Sequence, residues 1–162
     1  MSNGVILHEG KSLIDGKPIV MIGIRKSNNN KTGNMVQVFY IRTDIDPMSA
    51  NKSGEDFSIC GNCHLRGKPH DRDDKATADE RGCYVMLLGI LAIYKAYKAG
   101  KYPTLPTHEW GKFVAGRTVR LGAYGDPACV PTELNRKLIH GADGHTAYSH
   151  QAETVGADYD PT

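Results

Sequence analysis

The chain has 162 residues, of which 40% are hydrophobic and 23% charged, and its formal net charge at pH 7 is +2. This length and composition are typical of one folded domain with a single core, so they exclude wholesale disorder. A charge so close to neutral does not indicate nucleic-acid binding. No apolar run approaches the ~20 residues needed to cross a bilayer, and residues 1–4 lack the features of a secretion signal. We therefore expect a cytoplasmic protein without a membrane partner, in which cysteines stay reduced.

The N-terminal third is predicted to be rich in β-strands. Residues 4–8 and 19–24 are apolar runs bounded by turn signals, and residues 35–42 are rich in Val, Phe, Tyr and Ile. A polar loop at 27–34 separates the last two strands. The following segment, residues 43–55, is polar and is predicted to be irregular.

Helices and strands alternate from Cys83 onward. Apolar residues at intervals of three and four predict a helix over 84–99. Further elements are predicted as a short helix within 106–116, a strand over 117–123, a helix from about 130 to 140, and a strand over 146–149. This alternation favours the α/β class, as a partial barrel or an open mixed sheet, in one compact domain over residues 1–152. Residues 153–162 are predicted to be a flexible acidic tail.

The cysteines carry the strongest chemical signal in the chain. Three of the four lie in one short polar segment: Cys60 and Cys63 in a C-x-x-C-H motif, and Cys83 after a charged loop. Two thiolates on a tight turn, joined by a third across a loop, suit a soft metal or an iron–sulfur cluster. Cys129 follows much later and is a weaker candidate for a fourth ligand.

Four interpretations of these cysteines compete. The C-x-x-C-H motif also fits c-type haem attachment, but that requires export of the protein. A structural zinc site would use the three grouped cysteines with Cys129, His64 or His70 as its fourth ligand. A redox pair or free buried thiols would need no metal. An iron–sulfur cluster, with 4Fe-4S as the favoured type, fits three close cysteines best, because three ligands can leave one iron open.

Other candidate site residues follow the predicted strand over 117–123. Arg120, Tyr124 and Asp126 lie on this strand or just after its carboxyl end, where ligands gather in α/β folds. His150 is a further candidate ligand or acid–base group, since its ordinary pKa is close to neutral. We predict that these four residues face the cysteines and help to bind a cofactor. The alternative is that Asp126 only caps the next helix and pairs with Arg120.

Several motifs occur in a fixed order within residues 18–151. They are Lys31-Thr32-Gly33-Asn34, Cys60-Gly61-Asn62-Cys63-His64-Leu65-Arg66, Gly82-Cys83-Tyr84-Val85, residues 95–103, residues 119–127, and Ala147-Tyr148-Ser149-His150-Gln151. This ordered set resembles a group of small phage-encoded cysteine-cluster proteins of unassigned function. The resemblance implies that the protein acts in the cytoplasm of an infected bacterial host.

That group is distantly similar to radical S-adenosylmethionine proteins, whose three cysteines hold a 4Fe-4S cluster near the mouth of a partial α/β barrel. The resemblance implies that Cys60, Cys63 and Cys83 are cluster ligands and that Tyr84 is the aromatic residue beside the last of them. The C-x3-C-x2-C spacing of those proteins is absent here. Two functions are therefore expected: a redox or radical enzyme, or its remnant, acting on a small molecule, or a non-catalytic protein with structural zinc that modulates a host protein.

Overall fold

One mixed β-sheet organises the residues described by the computed structural model, which are 1–27 and 31–151. Its strand order follows the chain. The strands are β1 (Gly4–Lys11), β2 (Pro18–Ile24), β3 (Val36–Arg42), β4 (Thr118–Tyr124) and β5 (Gly144–Thr146). The first two strand pairs are antiparallel, whereas β3–β4 and β4–β5 are parallel. Strands β1 to β3 are therefore joined by hairpin connections, whereas β3, β4 and β5 are joined by crossover connections.

Helices lie in the connections between β3 and β5. They are α1 (Pro47–Ser53), α2 (Phe57–Cys60), α3 (Leu87–Lys98), α4 (Trp110–Val114) and α5 (Thr132–Ile139), with 3-10 turns at His64–Arg66, Thr107–Glu109 and Pro127–Cys129. Helix α3 falls within the helix predicted over 84–99, and α5 within the one predicted from about 130 to 140.

The prediction of an irregular segment at 43–55 was wrong, because α1 lies within it. The carboxylate of Asp46 accepts hydrogen bonds from the Met48 and Ser49 N–H groups, and Pro47 occupies the first turn. The helix ends at Gly54, whose φ of 83° is left-handed. Capping at both ends therefore defines a helix whose polar sequence shows no hydrophobic period.

The last strand is also displaced from its prediction. Residues 146–149 were expected to be extended, but β5 is Gly144–Thr146 and pairs with the first three residues of β4. Beyond it, the Ser149 hydroxyl and the His150 N–H donate to the carboxylate of Asp126 rather than to the sheet. The chain therefore leaves the strand direction after β5 because it forms hydrogen bonds to the Asp126 side chain.

The core lies on both sides of the central strands. All seven residues of β3 are buried, so both faces of the sheet are covered there. Trp110 and Phe113 of α4 are also buried, and the Trp110 indole N–H donates to the Leu105 carbonyl. These contacts confirm a single compact α/β domain, and the sheet is open rather than barrel-like.

Two further predictions concern the C-terminal tail and the absence of membrane-spanning segments. The acidic tail predicted at 153–162 lies outside the described residues. Within the described part, no helix has the length and apolar character required to cross a membrane.

Candidate functional site

The three grouped cysteines line one cavity of about 340 Å³ at the carboxyl ends of β4 and β5. Cys60 and Cys63 reach it from the segment after β3, and Cys83 reaches it from the loop before α3. All four residues predicted to face the cysteines also line it: Arg120, Tyr124, Asp126 and His150. The structure thus brings together residues that are far apart in the sequence.

A second, smaller cavity of about 30 Å³ adjoins the same cysteines. The residues that line both cavities are Cys60, Cys63, Cys83 and Tyr124. These four side chains therefore form the boundary between an inner pocket and the larger outer cavity.

The turn that carries Cys60 and Cys63 depends on Gly61. Its φ of 51° and ψ of −133° are accessible to glycine but strained for other residues. A Cβ at this position would lie 2.0 Å from the Gln151 side-chain oxygen. Gln151 is fully buried, and its amide donates to the Cys60 carbonyl and accepts from the Asn62 N–H. Gln151 therefore fixes the turn from the far end of the described chain.

A buried ion pair supports the same turn from the other side. The Arg66 guanidinium donates to Asp56 Oδ1 at 2.7 and 2.9 Å and to the Gly61 carbonyl at 2.9 Å. Asn51 donates to the second oxygen of Asp56 at 2.8 Å. Because Asp56 is only 3% exposed, these partners, rather than bulk solvent, are the groups that stabilise its carboxylate.

Cys83 is tied to the segment that follows Cys63. Its N–H donates to the Leu65 carbonyl at 3.0 Å, and the Arg81 guanidinium donates to the Cys83 and Val85 carbonyls at 2.8 Å. Backbone hydrogen bonds therefore hold the third thiol beside the first two across the charged loop.

The environment of Cys60 and Cys63 favours the neutral form of these two thiols. Burial raises the pKa of Cys60 well above its usual value, and the negative charge of Asp56 adds to this effect. Burial also raises the pKa of Cys63, with a smaller contribution from the negative charge of Cys83. A negative charge on one thiol therefore disfavours ionisation of its neighbour, and a bound cation would offset this effect by replacing the protons.

Tyr124 is the fourth member of this boundary. Its hydroxyl is buried, and no hydrogen-bond partner for it exists among the described residues. Burial, followed by the negative charges of Cys60 and Asp56, raises its pKa well above the ordinary value of tyrosine. The side chain is therefore a neutral phenol whose donor is unused among the described residues and which lines the same two cavities as the thiols.

Arg120 and Asp126 have separate partners. The Arg120 guanidinium donates to the Tyr84 hydroxyl at 2.6 Å and lies 5.9 Å from that ring's centroid. Asp126 accepts from the Ala128 N–H as the cap of the 127–129 turn, and also from Ser149 and His150. The predicted capping is thus present, while no ion pair of the described residues joins Arg120 to Asp126.

The three residues considered as a fourth metal ligand lie in different parts of the structure. Cys129 is fully buried in the core and lines neither cavity. The His70 ring contacts the Thr77 carbonyl at 2.9 Å and lines a separate surface pocket beside α1. His64 is close to the cavity, since its ring meets that of His150 with centroids 5.7 Å apart.

The donor set suits a thiolate-bound metal group, because three thiols and an unpartnered hydroxyl share one boundary. Within residues 1–27 and 31–151, no three His, Cys, Asp or Glu side chains are arranged to hold a single metal ion. An iron–sulfur cluster requires a different arrangement of its ligands, because each thiolate binds its own iron.

Comparison with protein-family models, curated proteins and solved structures gives no significant match to the chain.

Several supporting residues were missed by the sequence analysis. Gln151 could have been identified from the sequence, since it is the last residue of the last motif in the ordered set. Arg66 had the same kind of signal, since it ends the motif that begins at Cys60. Asp56 and Arg81 had none, because each stands among other charged residues in polar segments.

Proposed function

We propose that the protein binds an iron–sulfur cluster, of the 4Fe-4S type, through Cys60, Cys63 and Cys83. The observation that carries this proposal is that these three thiols line one cavity together, although a charged loop separates the third from the first two. Three cysteine ligands leave a fourth iron without a protein thiolate.

The size of the outer cavity favours a cluster with a reactive position. A structural zinc ion is enclosed by four protein ligands and needs no adjoining space. Here about 340 Å³ lies next to the thiols, with Arg120 and His150 in its lining. We therefore infer that a small molecule binds beside the cluster, as in a redox or radical-type enzyme or its remnant.

The cluster would supply one-electron chemistry, and the residues of the chain would bind and orient the small molecule. Arg120 brings a positive charge to the cavity, while the carboxylate of Asp126 is already occupied by three protein donors. Tyr84 and Tyr148 add two aromatic side chains to the lining. An anionic or planar small molecule would be bound by these groups.

The alternative is a non-catalytic protein whose zinc ion stabilises the fold and which modulates a host protein. One observation favours it: large apolar side chains near the cavity are exposed. They are Tyr84, Met86, Leu88 and Tyr148, which are 65–81% exposed. Exposed apolar groups of this kind are typical of protein-binding surfaces.

Anaerobic purification distinguishes the two proposals. A cluster gives broad absorbance near ~400 nm, with iron and acid-labile sulfide in the sample, whereas zinc is colourless because its d-shell is full. Cys83→Ser should abolish the absorbance and the iron content, because it removes one of three ligands.

Cys129→Ser is the matched control and should keep both. A colourless wild-type protein that contains stoichiometric zinc would support the alternative. A Cys83→Ser variant that retained full iron content would contradict the ligand assignment.

A further inference from the structure

We propose that the Tyr124 hydroxyl donates a hydrogen bond to a sulfur atom of the bound cluster and tunes its reduction potential. This inference rests on the proposed iron–sulfur function and adds to it a residue that acts through the cluster rather than on a substrate.

The position of Tyr124 supports this role. Among residues 1–27 and 31–151, only four line both cavities of the site, and the other three are Cys60, Cys63 and Cys83. Tyr124 is the last residue of β4, so the sheet holds its backbone in place at the carboxyl end of a parallel strand. Its ring is 4% exposed. A group bound by the three thiols at this boundary would therefore contact the phenol.

The register of β4 adds to the argument. Gln37 pairs with Arg120 and Phe39 pairs with Tyr124, so β4 contains extra residues between these pairs. Gly122, within this shift of the register, has a left-handed φ of 72°. A bulge changes the direction in which the following side chains point, and bulges are enriched next to functional sites.

The hydroxyl has no other use among the described residues. It is buried and lacks a hydrogen-bond partner, which costs free energy in a folded protein. The nearby polar groups are already engaged: Asp56 accepts from Arg66 and Asn51, and Arg81 donates to the carbonyls of Cys83 and Val85. The thiolates and sulfides of a cluster would supply the missing acceptor.

A hydrogen bond to cluster sulfur stabilises the reduced state, because that state carries the greater negative charge. Tyr124→Phe keeps the ring and removes only the donor. We therefore expect this variant to bind iron and sulfide in wild-type amounts and to have a more negative reduction potential.

The test compares wild-type protein, Tyr124→Phe and Tyr102→Phe after anaerobic purification. Tyr102 is half-buried and lines neither cavity, so its variant controls for the loss of a tyrosine hydroxyl elsewhere. Two measurements are made on each protein: the potential by redox titration, and the coupling of an exchangeable proton to the reduced cluster by electron–nuclear double resonance in H₂O and D₂O.

We expect a negative shift of the potential and loss of the exchangeable coupling in Tyr124→Phe alone. If the wild-type protein holds no iron–sulfur cluster, the proposed function and this inference are both wrong. If the wild type holds a cluster but Tyr124→Phe has an unchanged potential and coupling, only the role of Tyr124 is wrong.

Discussion

Gly61 shows how one residue sets the geometry of the cysteine turn. Its backbone conformation excludes a β-carbon, and the space that a side chain would need is filled by Gln151. The two residues act as a unit, since the Gln151 amide bonds the groups on either side of Gly61. A motif that reads as two cysteines and a spacer therefore depends on a residue near the end of the described chain.

Gly61→Ala should destabilise the protein by about 1–3 kcal/mol through backbone strain alone, with a further loss from displacement of Gln151. Iron content should fall as well, because the Cys60 and Cys63 thiols would no longer be held in place. Urea denaturation and iron analysis measure the two effects.

The matched control is Gly89→Ala. Gly89 lies in α3 with open space around its α-carbon. Alanine there should stabilise the protein by roughly 0.5–1 kcal/mol. Equal stability of the two variants would contradict the role given to Gly61.

At the scale of elements, the segment from α1 to the start of α3 forms a frame around the cysteines. Asp56 and Arg66 join the residues before and after the turn, and Asn51 of α1 contacts both of them. The loop after Arg66 is closed by paired backbone hydrogen bonds between Lys68 and Asp79. The frame is therefore held by polar contacts, unlike the apolar core of the sheet.

Arg66→Met should destabilise the protein by about 3–5 kcal/mol, because it leaves the buried Asp56 carboxylate without its charged partner. Chemical denaturation measures this change. Lys68→Met is the control, since Lys68 pairs with Glu80 at an exposed position, and it should cause little change. A small effect of Arg66→Met would show that water reaches Asp56.

The loop before Cys83 should respond to acid. Hydrogen bonds from Lys75 and Arg72 lower the pKa of Asp79 from 3.8 to about 2. A carboxyl group with a lowered folded-state pKa stabilises the fold above its unfolded-state pKa, and this contribution is lost as the pH falls through the folded-state value.

Wild-type protein should therefore be more stable than Asp79→Asn above about pH 4, and the difference should vanish as the pH approaches 2. Chemical denaturation of both proteins over this pH range measures the difference in their free energies of unfolding. A difference that persists at pH 2 would mean that the side chain acts through contacts other than its charge.

The elements also show what the sequence could predict. Strands β1 to β4 and helix α3 follow from apolar runs and helical periodicity, because both patterns are local. Helix α1 lacks such a pattern and was missed, although Asp46 and Pro47 are a capping signal. The position of β5 could not be predicted, since it depends on Asp126 accepting hydrogen bonds from Ser149 and His150.

The same distinction applies to the candidate site. The cysteines were predicted from motif spacing, Arg120, Tyr124 and Asp126 from their place at a strand end, and His150 from the near-neutral ordinary pKa of histidine. The structure places all of them but Cys129 in one cavity lining. The contacts that position them could not be predicted, because the partners of Asp56, Arg66 and Gln151 are brought together only by the tertiary fold.

At the scale of the whole molecule, the open sheet separates the core from the site. Strands β1 to β3 pair by antiparallel hydrogen bonds and bury the most apolar part of the chain. The cavity lies at the carboxyl ends of β4 and β5, where parallel pairing leaves room between connections. Loss of the bound group should therefore affect one side of the molecule.

Removal of iron by a chelator should lower the melting temperature, because metal-binding energy is also folding energy. Hydrogen exchange should increase at residues 60–66 and 81–85, and protection in β2 and β3 should stay close to that of the loaded protein. Uniform deprotection of the sheet would instead mean that the metal is required for the entire fold. Exchange measured by mass spectrometry resolves these segments.

The contact between Gln151 and the cysteine turn has a consequence for synthesis on the ribosome. Cys60, Cys63 and Cys83 leave the exit tunnel long before the residue that fixes their turn, so the nascent chain presents its thiols before the cavity can close. If the proposed cluster is bound, its insertion is completed only after Gln151 has been synthesised, and a polypeptide that stops short of Gln151 would display these sulfurs without retaining the inorganic group.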